Sequence, residues 1–117
     1  MIYILKTNLP DDKSVRLSLT YVYGIGPALS TILCKKLGIS SNLKTKDLTR
    51  EQTVDLLKLV DSLKLPLNNE LKKIQSVSMK KLINIKSYRG LRRLRGLPVR
   101  GQRTHTNAKS SRKNKRV

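Results

Sequence analysis

Apolar residues recur at helical spacing in four stretches of this chain. Val15, Leu19 and Val22 follow an i, i+4, i+7 rule and predict a first helix. Asp11 or Asp12 would cap it, and it would run to about Tyr23, where Gly24 ends it. Leu29, Ile32, Leu33 and Leu37 predict a second helix. Pro27 suits its first position, because the missing N–H has no partner there in any case. Gly38 suits its end, where the backbone turns left-handed. Leu56, Leu59, Val60 and Leu63 predict a third helix, opened by Thr49 and Gln52 at the spacing of a capping box. "KLPLNN" breaks that pattern, and Asn68 or Asn69 would cap a fourth helix with Leu71, Ile74, Leu82 and Ile85 on its apolar side. A short helical turn in "YRGLRRLRG" pairs Leu91 with Leu94. Before these helices come a brief extended start at Ile2–Leu5 and a turn at "NLPDD". Past Gly96 the pattern stops. The expected fold is therefore all-α, with a helical domain over residues 1–86 and a basic helical turn and extended tail over residues 87–117.

Charge divides the chain in the same direction. The formal net charge is +19 over 117 residues. Residues 1–70 carry 10 Lys and Arg against 7 Asp and Glu, a net of +3; residues 71–117 carry 16 Lys and Arg and no carboxylate, a net of +16. A block of like charge stays extended unless a polyanion meets it. A membrane surface would be met by Trp or Phe on an amphipathic helix, and the chain has neither. Nucleic acid fits better, since each cation that meets a phosphate releases a counterion.

Other chemistry is sparse. Cys34 is the single cysteine, within an apolar helical stripe, and reads as a small buried hydrophobe. No disulfide framework, cysteine-based metal site or cofactor is expected. No apolar run is long enough for a transmembrane helix. "MIYILKTNLP" is too short an apolar run for a signal peptide and has no basic start, so no address is expected there.

"YGIGP" joins the first two helices. Gly24 and Gly26 allow a sharp turn whose N–H groups stand beside a helix N-terminus, a main-chain anion site of the kind a helix-hairpin-helix uses on a phosphate backbone. A tight connection that touches nothing explains the same residues, and the net charge favours phosphate contact. A nucleotide-binding loop is excluded: there is no third glycine, no preceding strand and no Gly-Lys-Ser/Thr.

The tail, "RGLPVRGQRTHTNAKSSRKNKRV", has only Leu97, Val99, Ala108 and Val117 as apolar side chains beside its proline. These cannot offset an ordering cost of about 1–2 kcal/mol per residue. The tail should be disordered alone and ordered among phosphates. Its arginines donate bidentately. Gly90, Gly96 and Gly101 would let the backbone pass close to RNA. Gln102, Thr104, Thr106 and Asn107 would bond phosphates, sugars or bases.

"SYRGLRRLRGLPVRGQRTHTNAKSSRK" and "YGIGPALSTILCKKLGIS" together resemble the small-subunit ribosomal protein family numbered thirteen, over about Pro10 to Lys113. The resemblance implies a helix-two-turns-helix domain with an extended tail and a structural role in the small ribosomal subunit. It implies partners: small-subunit rRNA of the head, small-subunit protein nineteen, a large-subunit protein at an intersubunit bridge, and peptidyl-site tRNA along the tail. Its rRNA side falls on Gly24, Gly26, Lys72, Lys73, Lys80, Lys81, Arg89, Arg92, Arg93, Arg95, Arg100, Arg103, Thr104 and Asn107, and its tRNA side on Lys109, Arg112, Lys113 and Lys115. Ser87 and Leu94 depart from the bacterial pattern, as does "AKSSRK". His105 is closer to mitochondrial relatives, and with the abundance of Lys, Asn, Ile and Leu it points to a mitochondrial matrix ribosome, the alternatives being a bacterial cytoplasm or a plastid. Two other functions fit less well. A DNA-repair glycosylase would need an acid–base pair or nucleophile that nothing supplies. A free nucleoid protein or RNA chaperone would share the charge and not the motif.

Overall fold

The computed structural model of the chain describes residues 2–115, so Met1, Arg116 and Val117 lie outside it. The described residues form two compact units, one ending at Leu71 and the other beginning at Lys72. The sequence places a division after residue 86, at the end of the fourth helix, and the chain passes from one compact unit to the other near that helix's start.

The first unit opens with a feature the all-α expectation lacks. Strands β1 (Ile2–Ile4) and β2 (Thr7–Leu9) pair antiparallel, with Ile2 opposite Leu9 and Ile4 opposite Thr7. Leu5 and Lys6 make the turn, both at positive φ, as a type I′ hairpin requires. Alternation places Ile4 and Leu9 in the core. The turn is tied down from afar: the Asn68 side-chain amide donates to the Leu5 carbonyl at 2.6 Å, while the Asn68 backbone N–H donates to the Tyr23 carbonyl at 2.9 Å.

Helix α1 (Val15–Leu19) starts later than Asp11 or Asp12 would place it. Ser14 is extended and bridges to Lys44, with a bond on either side: the Val15 N–H donates to the Leu43 carbonyl and the Thr45 N–H donates to the Lys13 carbonyl. After Leu19 the chain continues in tight i→i−3 bonds up to Val22 rather than as regular helix. Helix α2 (Pro27–Lys36) begins at the proline and closes as expected. Gly38 sits at φ +64, its N–H on Lys35 and the Ile39 N–H on Cys34, the paired bonds of a Schellman motif. Helix α3 (Arg50–Ser62) carries the full capping box: Thr49 Oγ1 accepts from the Gln52 N–H, and Gln52 Oε1 accepts from the Thr49 N–H.

The core gathers Ile4, Leu9, Val15, Leu19, Val22, Ile25, Leu33, Cys34, Ile39, Leu56 and Val60. One buried polar chain is satisfied inside it. Thr45 Oγ1 lies 2.7 Å from Ser18 Oγ and 3.0 Å from the Lys13 carbonyl, and Ser18 donates to the Pro10 carbonyl. Burial pushes the Cys34 thiol above its ordinary pKa, against an opposing pull from Arg16. Ile32, placed on the α2 stripe by its spacing, is exposed.

The second unit takes up helix α4 (Asn69–Asn84) from Lys72 on, with α5 (Tyr88–Arg95) and α6 (Lys109–Lys113). Helix α4 ends in another Schellman pair, with Lys86 rather than glycine at positive φ. Ser87 then caps α5: its hydroxyl accepts from the Gly90 N–H at 3.1 Å and donates to the Leu82 carbonyl at 2.9 Å. No residue of α4 is buried, and Ile74 and Ile85 from its expected apolar side are exposed together with Val77.

Candidate nucleic-acid interface

Gly24 and Gly26 divide the labour of their turn. Gly24 has φ +110, and a Cβ on it would meet Leu67 Cδ2 at 2.9 Å and the Pro66 carbonyl at 3.2 Å. A side chain there would crowd the 66–71 segment where it closes on the turn. Gly26 has φ −96, and a Cβ on it would meet nothing within 4 Å. It precedes Pro27 at the N-terminus of α2, where no side chain caps the helix and where Gly26, Pro27 and Ala28 are exposed. The first-turn N–H groups of α2 therefore face outward without a capping side chain, beside the positive end of the helix dipole. Ile25 between the glycines is buried and anchors the turn.

The cations of the second unit stand on its surface. Lys72, Lys73, Lys80 and Lys81 on α4 are exposed, as are Arg89, Arg93 and Arg95 on α5; Arg92 is half-buried. Arg92 Nε donates to the Tyr88 phenol oxygen at 2.8 Å, with the guanidinium 5.2 Å from the ring centroid. Tyr88 is not among the residues expected at the interface, though a lone aromatic beside four arginines was the available signal in the sequence. No carboxylate follows Glu70. The ion pair of Lys58 with Asp55, at 3.8 Å, is in α3 of the first unit.

The tail is not one extended strand. Gly96 ends α5 at φ +71 in a Schellman motif, its N–H on Arg93 and the Leu97 N–H on Arg92. A Cβ on Gly96 would lie 3.6 Å from Arg112 Cα and 3.7 Å from Lys115 Cδ. The chain thus leaves α5 at Gly96, loops through residues 97–108 and returns as α6 to the same place. This closure brings together residues assigned separately to rRNA and tRNA: Arg93 and Lys115 line one recess with Gly96 and Gln102. Arg103 and Lys109 line a second recess with Thr106 and Asn107. Arg100 and Thr104 are exposed on the loop; Lys113 is exposed on α6.

The three tail-side glycines differ from the expectation that all would pass close to RNA. Gly90 is buried, and a Cβ there would stand 2.5 Å from the Leu82 carbonyl oxygen, so it serves the α4–α5 corner. Gly96 serves the loop closure. Only Gly101, at φ +71 with nothing within 4 Å, is open to a ligand.

A family model described as "Ribosomal protein S13/S18" matches residues 3–110. The chain belongs to this family. It is a structural ribosomal protein and not an enzyme. Among similar proteins of the S13/S18 family is "Small ribosomal subunit protein uS13m" of Marchantia polymorpha, 46% identical over 113 residues, which covers 97% of this chain and 93% of the relative. The protein of the same name from Daucus carota is 44% identical over 113 residues, covering 97% of each. The family match takes in the glycine turn, α4, α5 and the loop as far as Ser110. Among the described residues no group of three or more His, Cys, Asp or Glu converges on a metal-sized site, and no helix is long and apolar enough to cross a membrane.

Proposed function

We propose that the chain is a constituent of the mitochondrial small ribosomal subunit that binds rRNA of the subunit head. Its tail reaches peptidyl-site tRNA, and it contacts protein nineteen of that subunit and a large-subunit protein at an intersubunit bridge. The observation that carries this reading is the second unit itself, whose cations stand on the surface with no carboxylate after Glu70. Such a surface is stable in a phosphate lattice and self-repelling elsewhere. The uncapped start of α2 adds neutral main-chain donors for a phosphate. The mitochondrial assignment is supported by the names of the two relatives, both uS13m.

Two features support protein partners. Ile74, Val77 and Ile85 are exposed by 53%, 63% and 65%, apolar surface that phosphates do not cover. Asp47, Glu51, Asp55, Asp61 and Glu70, five of the seven carboxylates, are all exposed within residues 47–70 of the first unit. That stretch repels RNA and suits a bridge to protein. Sedimenting a mitochondrial lysate tests the reading. The chain should travel with small subunits, and recovery only in the light fractions would favour a free RNA chaperone.

A further inference from the structure

The recess in the tail loop is chemically unlike the rest of the basic half. It is an open hollow of about 500 Å³, within the range of small-molecule sites. Pro98 and Ala108 line it, and Gln102, Thr106, Asn107, Ser110 and Ser111 carry its neutral hydrogen-bonding groups. Its only charged lining residues are Arg103 and Lys109. All of these groups can donate to a phosphate, and the amides of Gln102 and Asn107 offer acceptor oxygens as well. A phosphate oxygen only accepts, so the amide oxygens of Gln102 and Asn107 have no use against it. Nucleobase edges offer donors and acceptors together, and each matches an amide.

The backbone around Asn107 points the same way. Thr106 and Ala108 both hold positive φ, at +59 and +68, with no glycine to ease the conformation. Non-glycine residues in this region are strained and persist where the surroundings impose them. The Arg103 guanidinium donates to Thr106 Oγ1 at 3.3 Å, and that hydroxyl donates to the His105 carbonyl at 2.7 Å, which braces the strained turn. Asn107 lies between Thr106 and Ala108, at the turn. Pro98 is half-buried and supplies a rigid apolar face beside it.

We propose that this recess accepts a single unstacked base of the bound RNA, with Pro98 against its face and the Gln102 and Asn107 amides on its edge. Arg103 and Lys109 at the rim then hold the flanking phosphates. This rests on the RNA-binding reading and adds to it a base-dependent component, which neutral side chains supply.

The test uses the full chain and two sets of short RNA hairpins of equal charge. One set carries a single bulged nucleotide, with each of the four bases in turn; the other carries an abasic ribose at the bulge. At fixed salt the chain should bind at least one base-bearing hairpin about 10-fold tighter than the abasic one, within what a good pair of edge hydrogen bonds provides. The Gln102→Ala/Asn107→Ala double variant should lose that preference and keep its salt slope, since no charge is removed. An unchanged far-ultraviolet circular dichroism spectrum shows that the variant is folded. Equal affinity of the unaltered chain for all hairpins, with normal salt dependence, overturns the base site and leaves the RNA-binding reading standing. Failure to bind any hairpin overturns both.

Discussion

Gly90 and Leu82 stand in a relationship that only glycine permits: a Cβ on Gly90 would lie 2.5 Å from the Leu82 carbonyl oxygen and 2.8 Å from the Ile83 nitrogen. The same Leu82 carbonyl accepts from Ser87 Oγ, so it cannot move away without cost. Helix α5 and its four arginines are aimed by this corner. Replacing Gly90 with Ala should destabilise the second unit by about 1–3 kcal/mol, the usual cost of overpacking. Amide exchange over α5 should quicken while α2 and α3 of the first unit keep their protection. Unchanged exchange in α5 would show that the corner yields freely.

The two glycines of the α1–α2 turn should separate folding from binding. Gly24→Ala adds a Cβ at 2.9 Å from Leu67 Cδ2 in a left-handed conformation, and should cost the first unit about 1–3 kcal/mol. Gly26→Val enters open space and should cost about 1 kcal/mol, through a poorer N-cap. It should nevertheless weaken rRNA binding more than Gly24→Ala does in the fraction that remains folded. Thermal unfolding and rRNA titration of both variants decide it. Affinity that follows stability alone would make the turn purely structural.

Part of this was legible in the sequence and part was not, for identifiable reasons. Thr49–Gln52, Pro27 and Gly38 act within a few residues of themselves, so their capping roles can be read directly. The late start of α1 cannot, because the Val15 N–H is taken by Leu43, 28 positions away. The hairpin was hidden because Leu5 and Lys6 occupy a turn that usually announces itself with Asn-Gly. Asn68 holds that turn from 63 positions away. The arginines and the motif around them identified the candidate interface, but not its shape. Gly96 was expected to give RNA access to the backbone, and its contact with the chain's own return depends on Arg112, 16 positions away.

The loop over residues 97–115 is closed by contacts around Gly96 and Arg112 and by few hydrogen bonds outside α6, and it is largely exposed. Such segments open at little cost. In the free protein its amides should exchange quickly, and in assembled small subunits they should be strongly protected. Slow exchange in the free protein would mean that the loop is stable without RNA.

Removing residues 100–117 should leave the first unit folded, since its core lies wholly before Leu71. The deletion removes Arg100, Arg103, Lys109, Arg112, Lys113 and Lys115, together with Arg116. Subunits carrying the shortened chain should retain peptidyl-site tRNA less well, with the log–log salt slope reduced by about 0.7–0.9 for each phosphate that the tail no longer neutralises. The deficit should shrink at high salt. Equal tRNA retention at low salt would confine the tail to rRNA.

The most direct test of the account is ultraviolet cross-linking of purified mitochondrial small subunits, with the cross-linked peptides of this chain located by mass spectrometry. RNA adducts should fall on the α5 arginines, on the 97–115 loop and at the start of α2, and none on the acidic 47–62 segment. RNA adducts concentrated on residues 47–62, with α5 and the loop unmodified, would contradict this placement.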